Sequence, residues 1–407
     1  MIPPCKPYLS GRELIAALRP GPRAVPRFEA AFAAAFETRH ALAFRYGRSG
    51  LWALFKALGI EGAEVILPAY TCAVVGHAIV LSGNEPRFVD VSLHDYNMDL
   101  AQVAAAISER TRAIIATHVF GYPLDVDRLR EIVRLGEARW GHKIWVFHDC
   151  AHAFGARWRG EMVCNTGDVA FFSLHLSKVV TSHFGGMVTT ADDDVARKLR
   201  AFRDEHFVRP RPFQVMLRYL SFLEAHVRHQ ETAYGLRQWL KRAAPELTRL
   251  RPKYHLADRI GFPPDHLDLM TAMEAGIGLV QLAKYAEMVR QRQECAADYD
   301  RRLRGLPGVI LPPLVDGATY SHYVVRVEDA SLLPGLNRQR DVHFVPWCHY
   351  SLPETPAYRC YAGSEEFPNA ARCATMTVPL PVHPGLGAQG RARVAEALRA
   401  GLGRGQK

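Results

Sequence analysis

Between residues 40 and 190 the chain alternates short apolar runs with stretches whose apolar positions recur at helical spacing. The runs Glu64–Pro68, Pro86–Val91, Arg112–Thr117, Lys143–Phe147, Val169–Ser173 and Gly186–Thr190 read as strands. They are nearly continuously apolar, which is the pattern of strands buried on both faces. Leu51–Leu58, a segment from Asp99 to about Glu109, and Val126–Leu135 read as helices, with Asp99 as an N-cap. Strands alternating with helices predict an α/β fold: a mainly parallel sheet covered on both faces.

The rhythm changes over residues 206–265, which predict two or three helices rich in Arg, His, Tyr and Trp, joined by Pro-containing turns. From Thr271 a single long helix is expected to about Leu303. Short strands near Val309–Leu311, Tyr323–Val327, Val342–Pro346 and Met376–Leu380 follow, with a last helix from about Gly387 to Leu402. The division is therefore a large domain, 1–265, then the long linking helix and a small α+β domain, 266–407.

Composition narrows the class. With 407 residues, 48% hydrophobic and 23% charged, the chain is neither disordered nor collagen-like. The most apolar stretch, Cys72–Leu81, is far shorter than the roughly 18–20 residues of a spanning helix and contains His77. No apolar segment follows Met1-Ile-Pro-Pro4, so no signal peptide is readable and a cytoplasmic protein is expected. The eight cysteines are scattered with no CxxC pair, which points to reduced thiols rather than a disulfide framework or a zinc site. The net charge is +10, and residues 206–253 hold ten Lys/Arg against three Glu. No nucleic-acid motif accompanies that excess. A packed subdomain with a solvated basic face, or an acidic partner such as a diphosphate or a membrane surface, would account for it.

The chemistry concentrates between residues 146 and 186. Asp149 stands at the end of a strand, where α/β sheets place ligand-binding groups, and Lys178 follows another strand end after a short loop. An Asp and a Lys at neighbouring strand ends fit pyridoxal phosphate: the amine forms the Schiff base, and the carboxylate keeps the ring nitrogen protonated so that the ring can accept electrons. Tyr46-Gly-Arg-Ser-Gly50, leading into a helix, offers N–H groups, a hydroxyl and a guanidinium for the phosphate. Singly, each of these signals is weak.

Their order is not. The sequence resembles the DegT/DnrJ/EryC1/StrS family of pyridoxal phosphate-dependent sugar aminotransferases, which share the type I, aspartate aminotransferase-like fold. The resemblance runs through Arg39–Ala43, Glu64–Thr71, Phe88–Val91, His118–Gly121, Asp149-Cys-Ala-His152, Gly167-Asp168, Phe172-Ser173, Lys178, Ala275–Gly278 with Gln281-Leu282, and Val378–Pro381. It implies that Lys178 and Asp149 are catalytic and that His152 hydrogen-bonds the hydroxyl side of the cofactor ring. It also implies that Ser173 binds the phosphate together with Gly47, Arg48 and Ser49. At the position where many members stack an aromatic on the ring, this chain has Cys72. Arg48 stands where Thr is common, and Val179 and Phe184 replace a usual Asn and Glu. Leu267 and Leu269 replace an Asn and an Arg that the family uses across a subunit boundary.

The implied activity is transfer of an amino group, with glutamate as expected donor, to a nucleotide-linked keto-sugar by a homodimer, in the synthesis of polysaccharide or secondary-metabolite sugars. Two alternatives remain open at this level. One is a sugar dehydratase using the same cofactor, which Lys178 disfavours because such members carry His there. The other is a non-catalytic binding or regulatory protein on the same fold.

Overall fold

A computed structural model describes residues 1–228, 258–329, 342–344 and 350–403, together with Tyr234 and Leu336. Most of the basic segment, including residues 235–257, and Cys348 lie outside the described residues.

The chain opens with α1 (Gly11–Leu18), held by a capping box between Ser10 and Glu13, and α2 (Ala24–Ala35). Strand β1 (His40–Phe44) leads into α3 (Gly47–Leu58), and β2 (Glu64–Pro68) into α4 (Ala73–Leu81). Then come β3 (Glu85–Val89), α5 (Leu100–Ala106), β4 (Thr111–Thr117), α6 (Val126–Trp140) and β5 (Trp145–Asp149). A small hairpin, β6 (Arg157–Trp158) and β7 (Glu161–Met162), precedes β8 (Val169–Ser173) and β9 (Gly186–Thr190). Helices α7 (Asp193–His206) and α8 (Pro212–Arg228) follow. Beyond the basic segment lie α9 (Ala272–Leu282) and α10 (Tyr285–Leu303). The last elements are β10 (Val309–Ile310), β11 (Tyr323–Val327), α11 (Pro368–Met376), β12 (Thr377–Leu380) and α12 (Ala388–Gly403).

Seven strands form one sheet in the order β1-β9-β8-β5-β4-β2-β3. The run β3-β2-β4-β5-β8 is parallel, and β9 alone runs against its neighbours β8 and β1. Alternation along the strands sorts residues to two faces. Val65, Leu67, Ala113, Ile115, Phe147 and Val188 join one core with α3 and α4. Ile66, Ile114, Ala116 and Val146 pack with α5 and α6, while Ala43, Ala170, Phe172 and Met187 meet the phenylalanines of α2. A smaller antiparallel sheet, β10-β11-β12, makes the second unit.

The α/β fold with a large, mostly parallel sheet is the one expected. Two local expectations differ. The single helix expected over 271–303 is two, interrupted at Ala283 and Lys284. The side chains there are drawn to the N-terminal segment: Gln281 Nε2 donates to the Tyr8 carbonyl at 2.8 Å, and Lys284 Nζ pairs with Glu13 at 2.5 Å. The strand expected over 342–346 is seen only as a bridge from Val342 to Ile2, and residues 345 and 346 lie outside the described residues. No described helix is long and apolar enough to cross a membrane.

Candidate active site

Because β5, β8 and β1 run the same way, their C-terminal ends share one edge of the sheet, and the chemistry-bearing residues follow from them. Asp149 is the last residue of β5 and is 6% exposed. Its Oδ1 accepts the Ala151 N–H at 3.0 Å. Burial raises the pKa of this carboxyl, opposed by that hydrogen bond and by the positive charge of Lys178. Lys178 lies five residues past the end of β8, half-buried, its backbone N–H closing a turn on the His175 carbonyl at 2.9 Å. Burial lowers the pKa of its amine, against the stabilising influence of Cys72, Asp149 and Cys5. The structure thus brings Lys178, Asp149 and Cys72 into one neighbourhood.

His152 joins them, 6% exposed, with its pKa held well below the usual value by burial and by Lys178, His322 and Arg292. Its ring stacks on Phe120 at 6.1 Å and lies 5.2 Å from that of His322. Phe120 itself adopts φ 56°, a left-handed conformation that a bulky residue holds only when its surroundings impose it. Cys72 caps α4, while Tyr70, the nearest aromatic in sequence, is fully buried with its hydroxyl 3.3 Å from Thr377 Oγ1. The thiol, not Tyr70, therefore faces the lysine's surroundings.

The phosphate turn is built by exclusion of side chains. A Cβ on Gly47 would come within 2.8 Å of the Phe172 carbonyl oxygen, and one on Gly186 within 2.3 Å of the Gly47 nitrogen. Only glycines let the N-terminus of α3 sit against the ends of β8 and β9, beside Ser173. The first-turn N–H groups of such a helix have no partner within it and favour an anion. Arg48 folds its guanidinium over the Tyr46 ring at 4.9 Å, and its Nη1 is buried with no hydrogen-bond partner. An orphaned, buried cationic donor at a helix N-terminus fits a phosphate. Ser49 stands apart from this set: it is fully buried and donates its hydroxyl to the His266 carbonyl at 2.7 Å. As the third residue of α3 it faces the segment before α9, whereas local pattern leaves its direction undecided.

We expect Arg48→Ala to weaken pyridoxal phosphate binding by about one to two decades, the range of a charge-assisted hydrogen bond of roughly 1.5–3 kcal/mol. Titration of the apo-protein measures it, and an unchanged affinity would mean that Arg48 serves another ligand.

A buried charge network supports the turn from behind. Arg45 pairs with Asp265 at 2.9 Å and with Glu274, and the Tyr46 hydroxyl donates to Asp265 at 2.9 Å. Arg218 of α8 pairs with Asp268 and lies 3.6 Å from Asp265. Thr271 and Glu274 complete a capping box at the start of α9. Leu267 and Leu269 pack against the core within this segment, and their backbones bond Val208 at 2.9 and 2.8 Å.

Three contributors do not stand out in the sequence. Arg292 of α10 is 5% exposed and donates to the Ser321 carbonyl at 2.8 Å, and burial lowers its pKa. His322 precedes β11 and is kept neutral, its pKa pushed down to about 3 by burial, Arg292 and Lys178. Cys5 donates its thiol to the Ser177 carbonyl at 3.5 Å. Arg292 does carry a signal, since it interrupts the buried helical stripe of Met288, Cys295, Tyr299 and Leu303. Nothing local marks Cys5 or His322. Among the described residues no cluster of His, Cys, Asp and Glu is arranged to hold a metal.

Comparison with known proteins identifies the family. The profile of the DegT/DnrJ/EryC1/StrS aminotransferase family matches residues 16–236 and 268–399. The chain is 28% identical to GDP-perosamine synthase of Caulobacter vibrioides, over 92% of this chain and 89% of that protein. It is 27% identical to the spore coat polysaccharide biosynthesis protein SpsC of Bacillus subtilis, over 94% and 90%. The crystal structure of the sugar aminotransferase CalS13 from Micromonospora echinospora superposes with a TM-score of 0.74 at 26% identity, covering 98% of this chain and all of that one. The matched blocks leave residues 237–267 between them, so the basic segment extends beyond the shared pattern. Matched by that family profile over most of its length, this chain belongs to the DegT/DnrJ/EryC1/StrS aminotransferase family, whose cofactor is pyridoxal 5'-phosphate.

Proposed function

We propose that this protein transfers an amino group from an amino acid, with glutamate as the expected donor, to a keto-sugar carried on a nucleotide. The observation that carries this reading is the convergence of Lys178, Asp149 and His152 on the sheet edge that also presents Gly47, Arg48 and Ser173. The sugar assignment rests on relatives: GDP-perosamine synthase, CalS13, and DesI, solved in the presence of its TDP-sugar product and 25% identical over 98% of this chain.

Bound pyridoxal phosphate would supply the electron sink for the carbanion left when a substrate proton departs. Everything else falls to the chain. Lys178, whose lowered pKa increases the share of free amine near neutrality, takes that proton and returns it. Asp149 would hold a positively charged ring nitrogen, a pairing that offsets the cost of keeping a buried carboxylate ionised. His152, kept neutral, offers one donor and one acceptor to the ring's oxygen side. Arg48, Gly47 and Ser173 would hold the phosphate. Retention of a lysine at position 178 favours amino transfer over dehydration.

We further propose a homodimer. The exposed face of α8 carries Phe213, Met216, Leu217, Leu220, Leu223 and Val227, an apolar row that an isolated chain leaves in water. The decisive experiment has two stages. Glutamate added to the pyridoxal phosphate form should convert it spectroscopically and release 2-oxoglutarate, and a nucleotide-linked keto-sugar should then restore the starting spectrum. Failure of the first stage would sink the aminotransferase assignment to glutamate; failure of the second alone would sink the sugar acceptor.

A further inference from the structure

The loop that carries Lys178 ends in an unusual residue. His183 has φ 74°, in the left-handed region, although it is not glycine. It is 1% exposed, and neither ring nitrogen has a hydrogen-bond partner. Its ring packs edge-on against Phe184 at 4.6 Å and against Phe222 of α8 at 5.5 Å. Burial, with the charges of Arg45, His175, Arg228 and Arg218, pushes its pKa down to about 3, so the imidazole is neutral at physiological pH and presents one donor and one acceptor. A strained backbone and two orphaned buried nitrogens are both unfavourable for the unliganded protein, and such costs gather at functional sites.

His183 borders two cavities that also share Phe184 and Ser221. One, of about 190 Å³, reaches His175 and Ser177, the residue before Lys178. The other, of about 210 Å³, reaches Arg45 and Arg218 beneath the phosphate turn. Together they form a groove between the lysine loop and α8. Its walls are charged but balanced: Arg45 pairs with Asp265 at 2.9 Å, Arg228 with Glu224 at 3.2 Å, and Arg218 with Asp268. A free anion gains little from such walls. A ligand bearing hydroxyls gains more, because each hydroxyl can both donate and accept.

We propose that this groove is a substrate subsite in which both ring nitrogens of His183 hydrogen-bond the hydroxyls of the nucleotide-linked sugar, making His183 a specificity-determining residue. The inference rests on the nucleotide-sugar reading above. It explains why the chain holds a histidine where the backbone favours glycine, in a groove that reaches the lysine loop at His175 and Ser177.

The test uses the holoenzyme with UDP, UDP-glucose, TDP-glucose and GDP-mannose as non-reacting probes in calorimetric titrations. His183→Gly suits the backbone and removes the imidazole; His183→Asn tolerates the left-handed conformation and restores a donor and an acceptor. The glycine variant should bind the sugar-bearing probes on the order of tenfold more weakly, with the asparagine variant recovering most of that loss. The same loss with UDP alone would place the ribose hydroxyls in the groove; a loss confined to the sugar-bearing probes would place the hexose there. With a reacting sugar, the change should fall on KM for the sugar more than on kcat. Equal probe affinity in wild type and both variants would overturn the subsite while leaving the function intact. An asparagine variant as weak as the glycine variant would also overturn it, because lost packing would then be the cause. A wild-type protein that binds none of the probes would reject the nucleotide-sugar reading and this one with it.

Discussion

Lys178→Ala is expected to yield a folded protein that no longer transaminates. Among the described residues no hydrogen bond or salt bridge ends on the Lys178 amine, so truncation removes little that holds the loop in place. The His175–Lys178 turn is closed by backbone and remains available to alanine. What disappears is the amine that would attach the cofactor covalently and carry the proton. Loss of a positioned acid/base alone costs about 10²–10⁴-fold in rate, and loss of covalent attachment adds to it. Two measurements decide the matter. Borohydride treatment of the wild type should fix pyridoxal phosphate to the chain and should fail to do so in the variant, while turnover with glutamate should fall below detection. A variant that transaminates at the wild-type rate would remove Lys178 from the mechanism, and the proposed function would then need another amine.

Asp149→Asn should separate binding from turnover. The amide matches the carboxylate in shape and can still accept the Ala151 N–H, so the end of β5 keeps its geometry. It cannot carry the negative charge that stabilises a protonated ring nitrogen. We expect the cofactor to bind but turnover to fall by about two to three orders of magnitude, the usual effect of removing one electrostatic stabiliser from a buried site. The raised pKa sets the sign of the stability change. The native state favours the protonated carboxyl, so above its folded pKa the ionised form is a cost to the apo-protein that asparagine does not incur. Apo-Asp149→Asn should therefore unfold at no lower urea concentration than apo wild type. Unchanged turnover with the cofactor bound would count against Asp149 as the partner of the ring.

Both residues are legible in the amino-acid sequence because they lie at or just beyond the ends of strands that the apolar pattern marks directly. Val169–Ser173 and Gly186–Thr190 have the same bounds in pattern and fold, and β5 ends two residues beyond the run that marks it. Runs buried on both faces differ from their flanks at every position, so the local signal is strong. Strand β1 is legible only as part of a family motif, since its partner is β9, about 145 residues later, and pairing at that distance leaves no periodic mark. The break between α9 and α10 is similar: it follows from the hold of Tyr8 and Glu13 on Gln281 and Lys284.

The α/β alternation and the places of Asp149 and Lys178 at and beyond strand ends are written locally. They depend on side-chain period within a few residues, which any short window of the chain contains. That Arg48 rather than Ser49 turns an unsatisfied donor toward the phosphate turn is a property of the folded chain. Folding likewise brings Arg292, His322 and Cys5 to the lysine, and sets His183, strained and unpartnered, in a groove under α8. Those outcomes depend on which distant segments pack together, and packing is settled by burial and hydrogen-bond satisfaction across the whole chain rather than by local pattern.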